Sequence, residues 1–263
     1  MTDFLPATES TPLVQINSGI ATITLNRPSQ RNSLHDEDLH SLLATFEQLN
    51  SNLAVRVVIL KANTTNQTKP VFCAGYHVSG FDNDKHDPRL FEKLADSLEL
   101  LRPITLCALN GSVYGGATDL MLACDLRLGL QGTEFRMPAC ALGLHYYPNG
   151  MRRYVSRLGL NLAKRAFLTA QTLKMEQLAD RDLFEELVTA SNFDIAVQSL
   201  ANKLAQLAPI AAKLTKQSLN EIAAGKFDEL ALRERENLTK LSSDFAEGRT
   251  AFAERRPPQF QGN

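Results

Sequence analysis

Two glycine turns and a short run of aromatic and acidic side chains are the parts of this chain that could do chemistry. The first turn lies in Pro103–Asp125, PITLCALNGSVYGGATDLMLACD. Gly115-Gly116 opens a helical segment there, with Asp119 in or near its first turn. Free N–H groups at a helix start point outward and attract negative charge. Adjacent glycines let a ligand reach them without side-chain obstruction. Such a turn can supply half of an oxyanion hole. The second glycine turn is Ala74-Gly75, followed by Tyr76 and His77. The third cluster, His145-Tyr146-Tyr147, sits in an irregular aromatic stretch at 138–150 (PACALGLHYYPNG).

These residues need elements to carry them. The Ile104–Leu109 run predicts a buried strand feeding the first turn, and Asn110-Gly111 interrupts it. Leu13–Ile16 and Ile20–Leu25 flank Ser18-Gly19 as a β-hairpin. Ser33 to Leu49 predicts a helix, because Leu39, Leu42, Leu43, Phe46 and Leu49 recur at three and four residues. The β-branched run Val55–Leu60 predicts a strand. Val71–Gly75 is a shorter one, Leu126–Leu130 alternates like a strand, and Glu134–Met137 resembles another. Residues 63–69 and 80–89 are polar, and the second stretch is expected to be mobile. Short helices are expected at 151–158 and 161–169 around Gly159. From about residue 195 only helical patterns remain. The expected architecture is α/β, with residues 1–194 as the core that binds and acts on a ligand and 195–263 as a helical module for self-association.

Composition narrows the classes. The chain has 263 residues, 44% hydrophobic and 22% charged, with a formal net charge of −1. No broad nucleic-acid or anionic-membrane surface is implied, and no apolar run approaches the length of a membrane span. The N-terminal MTDFLPATES lacks the features of a signal peptide, so a cytoplasmic location is expected. The four cysteines (Cys73, Cys107, Cys124, Cys140) have no metal-ligand spacing and read as reduced thiols. No metal and no separate cofactor are expected.

Five segments, taken with those turns, resemble the crotonase family, the enoyl-CoA hydratase/isomerase superfamily. They are ATITLNRPSQRNSL (21–34), VRVVILKA (55–62), FCAGYHVSGF (72–81), ITLCALNGSVYGGATDLMLACDLRL (104–128) and FRMPACALGL (135–144). The closing EGRTAFAERRPPQFQG (247–262) fits as well. The resemblance implies a ββα-spiral core, a helical trimerisation region giving a homotrimer or dimer of trimers, and an acyl-CoA thioester as ligand, with CoA as part of the substrate. It places the two oxyanion N–H donors at Tyr76 and Gly116. Arg31, Ser33, Leu34, Ala74 and Gly75 would line the CoA and acyl path. For Arg31 a solvated loop cation is the competing reading. Arg255 and Arg256 are weaker candidates for phosphate contacts.

The family's hydratases use two glutamates to move the protons of a water. Here the first falls at Asp119, a side chain shorter by about 1.5 Å, one C–C bond. The second falls at Ala139, which cannot exchange a proton. The two-glutamate hydration mechanism is therefore not expected. Asp119 is either a single base for isomerisation or an acid capping its helix. LGLHYY also resembles the LGVPY segment of methylmalonyl-CoA decarboxylases, where the tyrosine is functional, which points to Tyr146 as a lyase residue. The alternative for His145, Tyr146 and Tyr147 is a packed wall that shapes acyl specificity. His77 faces either the pocket or solvent. A silent acyl-CoA-binding protein is the third reading.

Overall fold

The computed structural model describes residues 9–77 and 87–263. Most of the polar stretch expected to be mobile, residues 80–86, lies outside the described residues.

The N-terminal hairpin forms as its turn chemistry requires. β1 (Leu13–Asn17) and β2 (Ile20–Leu25) pair antiparallel across Ser18 and Gly19, both at positive φ (49° and 79°). β2 then opens a parallel series with β3 (Val57–Ala62), β5 (Ile104–Leu109), β7 (Leu126–Leu130) and β10 (Glu186–Val188), giving the order β1-β2-β3-β5-β7-β10. A second sheet holds β4 (Val71–Cys73), β6 (Ser112–Tyr114), β8 (Glu134–Arg136) and β9 (Leu173–Lys174), in the order β4-β6-β8-β9.

Three successive units repeat one path: a strand of the large sheet, a strand of the small sheet, then a helix. They are β3-β4-α2, β5-β6-α3 and β7-β8-α4, with α2 at Leu90–Glu99, α3 at Ala117–Ala123 and α4 at Pro148–Thr169. This is the expected ββα spiral.

Both faces of the large sheet are covered, as a parallel sheet requires. Val58 and Leu60 of β3 turn towards α1 (Asp36–Ser51), α2 and α3 in the main core. Val57 and Ile59 turn the other way, against Phe193, Val197 and Ala201 of α6 (Phe193–Ala205). After α6 the chain is helical: α7 (Pro209–Ala223), α8 (Glu229–Leu241) and α9 (Ser243–Glu254), the last two capped by Asp228 and Ser242. Among the described residues no helix is long and apolar enough to cross a membrane.

Four local differences from the sequence reading have identifiable causes. Helix α1 starts at Asp36 rather than Ser33, because Arg31 and Asn32 adopt positive φ and Leu34 pairs with Tyr76 instead. β3 lies two residues later than expected, in register with β2 and β5. The short β6 was hidden between two glycine turns. Helix α2 follows the polar stretch and places Leu90, Leu94 and Leu98 inward. Around Gly159 (φ 72°, ψ 159°) two helical segments do meet, merged as α4.

Candidate active site

The two glycine turns come together. Asn32 sits buried at the crossing, with its side-chain amide donating to the Asn63 and Val71 carbonyls and its oxygen accepting from Arg27 N–H. This pins residues 31–34 beside the exit of β4. Ala74 N–H then donates to Arg31 O, Leu34 N–H to Gly75 O, and His77 N–H to Leu34 O. In this parallel bridge the main chain of Tyr76 has its N–H directed away from Leu34.

Gly75 has φ 100°, and a Cβ there would lie 2.9 Å from the Tyr114 carbonyl oxygen and 3.3 Å from the Gly116 nitrogen. The backbones of the two turns thus approach as closely as only glycine permits. Gly115 N–H is taken by Arg136 O, whereas Gly116 N–H, at the head of α3, meets no acceptor among the described residues. A Cβ on Gly116 would come within 2.8 Å of the Phe91 ring. Phe91, on α2, also faces the Tyr76 ring, with centroids 5.9 Å apart. One aromatic side chain therefore packs against both Gly116 and the Tyr76 ring.

Around this centre lie the remaining residues of the second turn and of the 31–36 segment beside it. The Tyr76 hydroxyl donates to Asp36, and burial, then that bond, raises the phenol's pKa. His77 is exposed and stacks on His35 at 4.5 Å, and His35 contacts Gln30. Ser33 Oγ lies 3.5 Å from Gly75 O, Leu34 is buried, and Arg31 is exposed with φ 52°. Arg256, at the far end of the chain, is engaged by Glu247 and Glu254.

The second group forms one buried network. Asp119 and Arg153 both have 0% exposure. Arg153 Nε donates to Asp119 Oδ1 at 2.8 Å and Nη2 to Oδ2 at 2.7 Å, a bidentate fork. Tyr147 OH donates to Asp119 Oδ2 at 2.5 Å, and Tyr146 OH donates to Tyr147 OH at 3.0 Å. The remaining Arg153 nitrogen, Nη1, reaches Asp96 (2.7 Å) and Glu99 (3.2 Å) on α2. Arg152 and Asn149 complete the array through Glu99 and Asp96.

Burial opposes the Arg153 charge, but the bonds to Asp119 and the nearby carboxylates outweigh it, and the guanidinium is held more firmly protonated. Burial, then the Asp119 charge, pushes both tyrosine phenols well above their ordinary value, so they stay neutral.

Local sequence explains the tyrosine pair. Pro148 starts α4 and Tyr147 is its N-cap. Gly150 makes room: a Cβ there would meet the Tyr146 ring at 2.4 Å and the Tyr147 ring at 2.7 Å. The rings stack at 4.2 Å. Tyr146 is buried and Tyr147 only partly so. Ala139 is buried at the start of a 3-10 turn, Ala139–Leu142, and His145 is exposed and outside the network. Glu134 is also exposed and accepts from Tyr114. Asp125 accepts from the Thr105 N–H and hydroxyl and pairs with Lys216, a structural role.

The sequence reading passed over Arg153, Asp96, Glu99 and Phe91. The available signal was the Asp96/Glu99 pair at i and i+3, one turn apart on a helix, with Arg152-Arg153 downstream. Among the described residues no group of three or more His, Cys, Asp or Glu side chains is placed to hold a metal ion.

The fold is a ββα spiral, and comparison with known proteins agrees on the fold and the family. The sequence profile of the enoyl-CoA hydratase/isomerase family matches residues 15–263. The chain belongs to that family, the crotonases. It is 28% identical over 244 residues to the short-chain-enoyl-CoA hydratase of Clostridium acetobutylicum, covering 90% of this chain and 92% of that one. It is 31% identical over 260 residues to the mitochondrial enoyl-CoA hydratase domain-containing protein 2 of Bos taurus, covering 94% and 86%. The crystal structure of an enoyl-CoA hydratase from Bacillus anthracis shares the fold, with a TM-score of 0.84 at 24% identity over 97% of this chain and all of that one.

Proposed function

We propose that this protein is an acyl-CoA enzyme that binds a thioester carbonyl between the N–H groups of Tyr76 and Gly116 and stabilises the enolate formed there, in isomerase-type or other non-hydratase chemistry. The observation that carries this reading is the contact between the Gly75–Tyr76 turn and the Gly115–Gly116 helix start, with an unengaged Gly116 N–H among the described residues. Taking a proton from the carbon beside a thioester puts charge on the oxygen, and one donor aimed there lowers the barrier by about 2.7–4 kcal/mol.

Ala139 removes one of the two carboxylates that hydration uses. Proton handling falls to the side of the site holding Asp119, Tyr147 and Tyr146. Arg31, Ser33, Leu34, Ala74 and His77 line the CoA and acyl path from the other turn, with Ala139 and His145 at the acyl end. CoA enters as part of the substrate. A homotrimer, or a dimer of trimers, would cover Leu219, Ile222, Leu238 and Leu241 of α7 and α8, which are exposed in the single chain.

One observation favours a second reading, a lyase that decarboxylates its substrate. Both Asp119 oxygens are already engaged by Arg153 and Tyr147, and loss of CO2 needs no carboxylate base. A silent acyl-CoA-binding protein is the remaining outcome.

The test is incubation with crotonyl-, 3-enoyl- and methylmalonyl-CoA in heavy water, with products followed by mass. Deuterium entry beside the thioester without hydration is the expected result. Release of CO2 selects the lyase, and binding without change selects the silent protein. Rapid hydration of crotonyl-CoA overturns the reading.

A further inference from the structure

We infer that Arg153 is a positioning residue of this site. It holds Asp119 as a paired carboxylate that acts on the substrate only through the Tyr147 hydroxyl, and it ties the oxyanion helix α3 to α2.

The directions of the hydrogen bonds carry the first half. Arg153 is donor-only, so both Asp119 oxygens accept from it. An ionised Asp119 can then only accept from Tyr147, which fixes the Tyr147 proton on the Asp119 side. Tyr146 donates into the same phenol oxygen. Access points the same way. Asp119 and Arg153 have 0% exposure and Tyr146 has 7%, while Tyr147 is the partly exposed member of the chain. Of the four, Tyr147 is the one a bound acyl group can touch, and Asp119 lies one layer behind it.

The second half follows from what else the guanidinium holds. Its Nη1 bonds Asp96 and Glu99 on α2, the helix that also carries Phe91. Phe91 packs where a Gly116 Cβ would be and faces Tyr76. One side chain, in the second turn of α4, therefore links α2 and α3 and steadies the helix whose Phe91 packs against Gly116 and the Tyr76 ring. A lysine keeps the charge but cannot grip two oxygens of Asp119 and two carboxylates of α2 at once.

Two measurements test this on the full chain. The first is direct: a downfield hydroxyl proton resonance that disappears in Tyr147→Phe is expected to shift or vanish in Arg153→Lys. The second uses deuterium exchange beside the thioester of butyryl-CoA, and it rests on the proposed function. Arg153→Lys is expected to lower the exchange rate about tenfold or more, with KM within about twofold, as for a group that sets geometry rather than binding. Because Arg153→Gln alone leaves three carboxylates around a neutral group, it is paired with Asp119→Asn. The double variant is expected to exchange at the rate of Asp119→Asn alone, since residues acting as one unit are not additive. An unchanged hydroxyl resonance in Arg153→Lys, or single losses that multiply in the double variant, would overturn the inference. If the wild-type protein exchanges nothing, the proposed function fails, and the resonance alone decides the role of Arg153.

Discussion

Replacing Asp119 with alanine gives the sharpest test of the buried network, because it can be read from stability without any substrate. Asp119 and Arg153 are both wholly enclosed, and their fork has bonds of 2.8 and 2.7 Å. Truncation leaves Arg153 Nε and Nη2, and the Tyr147 hydroxyl, without their acceptor. Breaking a buried ion pair from one side costs about 3–5 kcal/mol. Arg153 keeps Asp96 and Glu99, so its charge remains compensated in part, and the lower end, about 3 kcal/mol, is expected. For a chain of this length that corresponds to a fall in Tm of about 6–12 °C. Asp119→Asn retains one acceptor oxygen and should lose about 1–3 kcal/mol. Urea unfolding followed by circular dichroism, at matched protein concentration, measures both. The slope of the transition should stay constant, so that the midpoint alone moves. A loss below about 1 kcal/mol in Asp119→Ala would refute the reasoning, since no closed ion pair can be opened so cheaply.

Three further outcomes are expected. Gly75→Ala places a Cβ 2.9 Å from Tyr114 O at a φ of 100°, so the turn must move. A shift of about 1 Å there should reduce deuterium exchange about a hundredfold, and a wild-type rate would contradict the proposed donor geometry. In the native protein at pH 8, iodoacetamide should label Cys140 alone. Cys73, Cys107 and Cys124 are buried, and burial pushes the Cys73 thiol up to about 12; labelling of two or more sites, counted by mass, refutes this. Glu247 is held at about 2, below its ordinary 4.5, first by the hydrogen bond from Arg256 and then by the Gln259 N–H. A lowered folded-state value stabilises the tail fully above pH 4.5, and that stabilisation fades as pH falls towards 2. Protection of the Gln259 amide, measured as its exchange rate relative to an unstructured peptide at the same pH, should fall across that window in the wild type and already be low at neutral pH in Glu247→Gln.

Local chemistry determined much of this protein before any packing is considered. Ser18-Gly19 between alternating strands dictates the hairpin. Gly115-Gly116 ahead of an apolar run dictates a bare helix start. Each of these is a property of a few neighbouring residues, through the φ and ψ they allow. Contacts between distant segments were decided only by the tertiary structure. Leu34 bridging Tyr76 draws residues 33–35 out of the expected helix, and the approach of Gly75 to Gly116 depends on how two strands of different units pair. The partner of Asp119 is Arg153, thirty-four residues on. A linear pattern names a carboxylate as a candidate base, but only three-dimensional proximity shows which charge neutralises it, because Coulomb and hydrogen-bond energies depend on distance in space and not along the chain.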